Sequence, residues 1–155
     1  MSGFADIYVI KKTRSKNLGV EFLERFLPHR EESSDEYFYP QYADKKEIEF
    51  QNVELLMDFL ENTPNAEYAV YWRNLDSNNI NRHGMLFYTR DSYMIFGISR
   101  SPKDFSDTKV EEKCLTEMKN FLKTDEGYFT YEFPPEITHS EFVQLVNEYN
   151  LKFIR

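Results

Sequence analysis

Three segments with the composition of β-strands follow one another between residues 68 and 99. Residues 68–73 alternate between two sets of side chains, and residues 85–89 and 93–99 are rich in aromatic and apolar residues. The three residues 90–92 that join the last two segments have the length of a hairpin connection. Consecutive strands joined by short turns pair in the antiparallel sense, so this region predicts a three-stranded antiparallel meander.

Four further stretches carry apolar residues at helical spacing. They begin after Ser15, Asn52, Thr108 and Thr138, which are residue types that commonly cap helix N-termini. Thr108 and Thr138 are each followed by glutamate three residues later, the pattern of a capping box. More strand-like segments occupy residues 7–10, 47–50, 128–133 and 151–154, the last as a short strand or an extended tail.

This order of elements predicts the fold class. A chain of 155 residues has the size of one ordinary domain, so residues 1–155 are expected to form a single α+β domain. We expect a mostly antiparallel, twisted sheet of about five to seven strands, with about four helices packed largely on one face.

The charge of the chain restricts its partners. The formal net charge is −8 and the sequence pI is near 5.0. Binding to nucleic acid needs clustered lysine and arginine, and the basic run at residues 11–14 is short. We therefore expect no nucleic-acid partner and favour a basic protein partner, which an acidic surface would attract.

No motif for catalysis or for a cofactor stands out in the sequence. The five glycines form no phosphate-binding pattern, and Cys114 and the histidines His29, His83 and His139 have no zinc-ligand spacing. Cys114 lies in a helical apolar stripe, so we expect a buried, unreactive thiol. The sequence thus predicts no cofactor, no metal and no catalytic residue, although an unfamiliar type of enzyme stays open.

Cysteine usage and the N-terminus bear on location. A single cysteine fits a reducing compartment, and the first residues lack the features of a signal peptide. The apolar runs are far shorter than the roughly 20 residues that span a bilayer. A cytoplasmic protein without membrane contact is the expectation.

Residues 29–44 combine acids with aromatic residues and show no clear periodicity, which predicts a long loop with a short extended piece around residues 37–39. Tyrosine is enriched in interface cores and acids steer basic partners, so this stretch is the predicted partner-binding surface. Its candidate residues are Glu31, Glu32, Asp35, Glu36, Tyr37, Tyr39 and Tyr42. In the alternative interpretation the acids are simply solvated while the aromatic residues fill the core.

A second candidate site is a ligand pocket where this stretch meets the strand end near Trp72, Arg73 and His83. Arg73 would anchor an anion, and His83 would be either a general base or a plain strand residue. A third possibility is a homodimer formed through exposed strand edges.

Several segments carry a resemblance to known proteins. FLPHREE at residues 26–32, YWRNL at residues 71–75 and MLFYT at residues 85–89, together with residues 37–42 and 127–135, resemble a group of small acidic bacterial proteins. That group implies no agreed activity. In size, acidity and α+β composition the chain is also similar to immunity proteins of bacterial toxin systems, which implies that a basic toxin domain is the partner.

Overall fold

The computed structural model describes residues 3–101, 108–131, 133–135 and 138–153, and these residues form eight strands and four helices. The strands are β1 (Ala5–Lys11), β2 (Arg30–Glu32), β3 (Tyr37–Tyr39), β4 (Ile48–Phe50), β5 (Tyr68–Asn74), β6 (Asn81–Tyr88), β7 (Met94–Arg100) and β8 (Gly127–Tyr131). The helices are α1 (Lys16–Phe26), α2 (Val53–Glu61), α3 (Lys109–Leu122) and α4 (His139–Phe153).

Six strands form one antiparallel sheet in the order β2-β5-β6-β7-β1-β8, and β3 pairs with β4 in a separate two-stranded sheet. The predicted meander is confirmed as β5, β6 and β7, which are neighbours in chain order. The predicted α+β class with an antiparallel sheet is confirmed as well.

The helices cover mainly one face of the six-stranded sheet. Strand register places Gly84 of β6 and Gly127 of β8 on the same face. A Cβ atom at Gly84 would lie 3.0 Å from Leu23 in α1, and one at Gly127 would lie 2.9 Å from Leu115 in α3. Because α2 packs against α1, these three helices share that side, which we call the helix face.

The fourth helix lies at the β8 edge of the sheet. Phe142 of α4 packs against Tyr128, and Tyr149 of the same helix packs against Phe129, with ring centroids 5.0 and 5.3 Å apart. Consecutive strand residues point to opposite faces, so α4 contacts both sides of β8. We call the face opposite α1 and α3 the open face. Of the described helices, α4 alone covers it, near β8.

Arg14 connects four parts of the fold from a buried position just before α1. Its guanidinium donates to the carbonyl oxygens of Leu60 at 2.7 Å, Ala66 at 2.8 Å and Thr89 at 2.9 Å. Burial lowers the pKa of the Arg14 guanidinium. The group lies 5.2 Å from the centre of the Tyr88 ring, so carbonyl dipoles and an aromatic face together solvate the buried charge.

Some local predictions are confirmed and others are wrong. The side chain of Ser15 caps α1 and that of Thr138 accepts from the Glu141 amide, as predicted. Thr108 makes no side-chain cap, because its backbone (φ −93°, ψ 3°) is not in the extended conformation of an N-cap; its hydroxyl donates to the Glu112 carboxylate. Residues 151–153 continue α4 rather than forming a strand or tail, and residue 154 lies outside the described residues.

In the stretch at residues 29–44, the predicted extended piece is confirmed as β3, whereas β2 lies where only a loop was predicted. Within the described part of the chain, no helix is both long enough and apolar enough to cross a bilayer.

Candidate functional site

The predicted acidic residues of the 29–44 stretch differ in what they contact. Strand β2 pairs with the end of β5, which places Glu31 opposite Arg73, and their side chains form an ion pair. The Glu32 carboxylate accepts a 2.7 Å hydrogen bond from the Tyr37 hydroxyl. Glu31 and Glu32 are thus engaged within the chain, while Asp35 and Glu36 are exposed.

The three predicted tyrosines are also divided among different environments. Tyr37 is buried, and burial followed by the hydrogen bond to Glu32 raises its pKa. Tyr39 is half-buried, with its ring 5.0 Å from that of Phe59 in α2. Tyr42 is 82% exposed, so it alone of the three presents most of its ring to a partner.

The structure separates the residues of the predicted ligand pocket. Trp72 is buried on the helix face, where it lines a groove with Met57 of α2. Arg73 and His83 are cross-strand neighbours on the open face. The His83 ring packs edge-on against Phe4 at 5.3 Å, and burial, followed by the charge of Arg82, lowers its pKa. One cavity shared by Trp72, Arg73 and His83 is therefore not formed.

Aromatic side chains that helices leave uncovered lie on the open face. Tyr71 is 40% exposed and packs edge-on against Phe87 at 5.8 Å, and Phe87 packs in the same way against Tyr8 at 6.1 Å. The pKa of Tyr71 is raised mainly by burial and to a smaller extent by the nearby Tyr42 hydroxyl. We call Tyr42, Tyr71 and Phe87 the aromatic surface.

The side chain of Gln41 bridges this surface to a free strand edge. Strand β2 reaches only as far as Trp72, so no strand among the described residues pairs with the outer edge of β5 at Ala69. The Gln41 amide fills that place, because its nitrogen donates to the Ala69 carbonyl at 2.8 Å and its oxygen accepts from the Ala69 amide at 2.9 Å. These are the two bonds that a residue of an added strand would make.

Two grooves lie beside the Gln41 bridge, and both include Gln41 and Ala69 in their walls. The first groove has a volume of about 490 Å³ and its lining also includes Tyr42, Glu67 and Phe87. The second groove has a volume of about 450 Å³ and runs past Glu36, Tyr71 and His83. The aromatic surface therefore borders both cavities.

The other side chains that could bind a metal or react chemically have surroundings that explain them as structural residues. Among the described residues, no three His, Cys, Asp or Glu side chains are grouped as a metal site. Cys114 is buried, and burial raises the pKa of its thiol to about 11. His139 stacks on Tyr93 at 4.1 Å and contacts the Glu126 carboxylate at 3.0 Å, which fixes the start of α4.

Sequence patterns pointed to Tyr42 and to a pocket near His83, but gave no sign of Tyr71 and Phe87 as surface residues or of the first groove. Alternation places Tyr71 on one face of its strand, but its neighbour Phe87 follows only from the pairing register of β5 and β6. Gln41 carries no signal at all, since glutamine in an acidic stretch is normally solvated.

Comparison of the chain with protein-family models, with curated proteins and with solved structures finds no match in any of the three. The function therefore has to be argued from the aromatic surface and the grooves.

Proposed function

We propose that this chain is a non-catalytic protein-binding domain for a basic partner. The observation that carries the proposal is the aromatic surface on the open face, with the exposed acids Glu36 and Glu67 in the walls of the adjoining grooves. Partly exposed aromatic residues supply contact area at interfaces, and surrounding acids increase the rate of encounter with a positively charged protein. The net charge of −8 acts in the same direction.

The finer proposal is an immunity-type inhibitor of a basic bacterial toxin domain. It is supported by the acidity of the chain and by the contrast between a helix-covered face and an accessible aromatic one. An inhibitor of this kind needs a surface that binds the toxin tightly, and it needs no catalytic group. Coexpression tests it: the partner alone should arrest growth, and coexpression with this chain should restore growth.

Capture from cells of the source organism tests the general proposal. The wild-type chain and a Tyr42→Ala/Tyr71→Ala variant would be immobilised, and retained proteins quantified by mass spectrometry. A Val110→Ala/Leu151→Ala variant is the matched control, because Val110 is 45% and Leu151 80% exposed on other elements. We expect a basic protein to be retained in stoichiometric amount by the wild type and the control, and lost from the tyrosine variant.

Binding of the purified partner should weaken as salt rises, because salt screens exposed charges. Finding no stoichiometric partner, or equal retention by the tyrosine variant, would contradict the proposal.

A second candidate function is binding of a small molecule in the first groove. Its volume of about 490 Å³ supports this, since ligand pockets commonly measure about 300–1,000 Å³. A thermal-shift screen against metabolites checks it, because a bound ligand raises the melting temperature. If no compound stabilises the protein, this candidate function is wrong.

A further inference from the structure

The described walls of the first groove carry negative charge and no positive charge. Its described lining residues include the aromatic residues Tyr39, Tyr42 and Phe87 and a single carboxylate, that of Glu67. Lysine, arginine and histidine are absent from that described lining. A bound anion would face Glu67 and the net negative chain. The neighbouring Lys46 ammonium is engaged by the carbonyl oxygens of Pro40 and Gln41, so the groove favours a positively charged group.

We propose that the first groove holds the guanidinium group of an arginine side chain of the basic partner. This inference rests on the proposed protein-binding function and names the group that the groove recognises. Arginine fits the lining better than lysine does, because its planar guanidinium is weakly hydrated and stacks on aromatic rings. The Glu67 carboxylate supplies the opposite charge, and the ring of Tyr42, 82% exposed, offers an accessible face.

The same end of the sheet already accommodates an arginine in this way. Tyr88 also lines the first groove, and the internal Arg14 guanidinium lies 5.2 Å from the centre of its ring. Lys46 donates to the carbonyl oxygens of Gln41 at 2.8 Å and of Pro40 at 3.4 Å, so the backbone of the groove wall already holds a cation. Aromatic rings and backbone carbonyls are thus the local means of stabilising positive charge.

A pair of matched probes tests the proposal. N-acetylarginine methylamide and its neutral isostere N-acetylcitrulline methylamide would each be titrated to about 50 mM, while amide signals are followed by ¹H–¹⁵N spectroscopy. We expect the arginine probe to shift the signals of Tyr42, Glu67 and Ala69, and to bind at least about fivefold more tightly than citrulline, as one cation–π contact and one exposed ion pair would provide. Equal binding of both probes, or no shift at these residues, would overturn the inference.

Two variants locate the attraction in the groove. Glu67→Gln should weaken the arginine probe about fivefold, and Tyr42→Ala about threefold. Both side chains are exposed, so both variants should fold, which thermal melts verify. Glu36→Gln is the control, because Glu36 is an exposed acid of the second groove. If Glu36→Gln weakens binding as much as Glu67→Gln does, the net charge rather than the groove attracts the probe and the inference fails.

Free L-arginine distinguishes the source of the guanidinium. If free arginine binds more than tenfold more tightly than the capped residue, the groove recognises the free amino acid, and the assignment to a partner side chain is wrong. Failure of the inference and failure of the proposed function also differ. If a partner is captured but neither probe shifts the amide signals, only the arginine site is refuted. If the capped probe binds but no partner is captured, the protein-binding function is refuted.

Discussion

Replacing Arg14 with methionine would remove the charge while keeping an unbranched side chain of similar length. The three carbonyl oxygens of Leu60, Ala66 and Thr89 would then lose the guanidinium as a donor in a region that solvent barely reaches. Leu60 and Thr89 would keep longer backbone bonds, from Thr63 at 3.4 Å and from Ser92 at 3.3 Å. These acceptors lie near the end of α2, just before β5 and just after β6. The substitution therefore removes hydrogen bonds that join elements far apart in sequence.

The size of the effect follows from the number of bonds. A hydrogen bond to a charged group contributes about 1.5 kcal/mol at the low end, so three contribute about 4.5 kcal/mol. Burying the guanidinium has an opposing desolvation cost, which its lowered pKa reflects. We expect a net loss of about 3 kcal/mol in the free energy of unfolding, or about 6–12 °C in melting temperature for a domain of this size.

Urea unfolding monitored by fluorescence measures this loss. Trp72 is the only tryptophan and is buried, so its emission reports the transition. Arg25→Met is the control, since Arg25 is half-exposed and its contact with Glu117 is 3.5 Å long; it should change stability by less than about 1 kcal/mol. A change of less than about 1 kcal/mol for Arg14→Met, at an unchanged slope of the transition, would refute the assigned role of the guanidinium.

Three further outcomes follow from other buried positions. The Cys114 thiol, with its pKa raised by burial, should resist a thiol reagent at pH 8 in the native protein and react at once in 8 M urea; rapid native reaction would contradict its burial. Gly127→Ala should destabilise by about 3 kcal/mol in urea unfolding, because the new Cβ would meet the Tyr8 carbonyl oxygen at 2.9 Å; a loss below about 1 kcal/mol would show that the backbone yields easily. Burial raises the pKa of Tyr149 to about 12 and also raises that of Tyr88, so the unfolded chain loses these protons first, near pH 10. Stability should thus be insensitive to these groups below pH 10 and fall above it, and urea midpoints that stay constant up to pH 11.5 would disprove this.

Local patterns were sufficient for most of the architecture. The meander followed from alternation and hairpin-length turns, and the start of α1 from the capping side chain of Ser15. Each of these features depends on residues close together in sequence. The failed cap at Thr108 shows the limit of such patterns, because the backbone at this residue is not in the extended conformation that an N-cap needs.

Strand β2 could not be predicted from its own residues. Arg30–Glu32 is short, acidic and half-exposed or exposed, and it is a strand only because it pairs with β5 about forty residues later. The ion pair between Glu31 and Arg73 is a consequence of that register. Composition drew attention to residues 29–44, but which acids are paired within the chain and which tyrosines are buried depended on pairing between distant segments.

The hydrogen bonds between Gln41 and Ala69 bear on self-association. An open strand edge is a template on which a second molecule adds a strand, and many proteins block such edges with charge or proline. Here a single carboxamide acts as the missing neighbour, so a strand from another copy would first have to displace two short hydrogen bonds. One uncharged side chain thus closes the strand edge at Ala69 to a second copy, while the grooves on either side of it stay accessible.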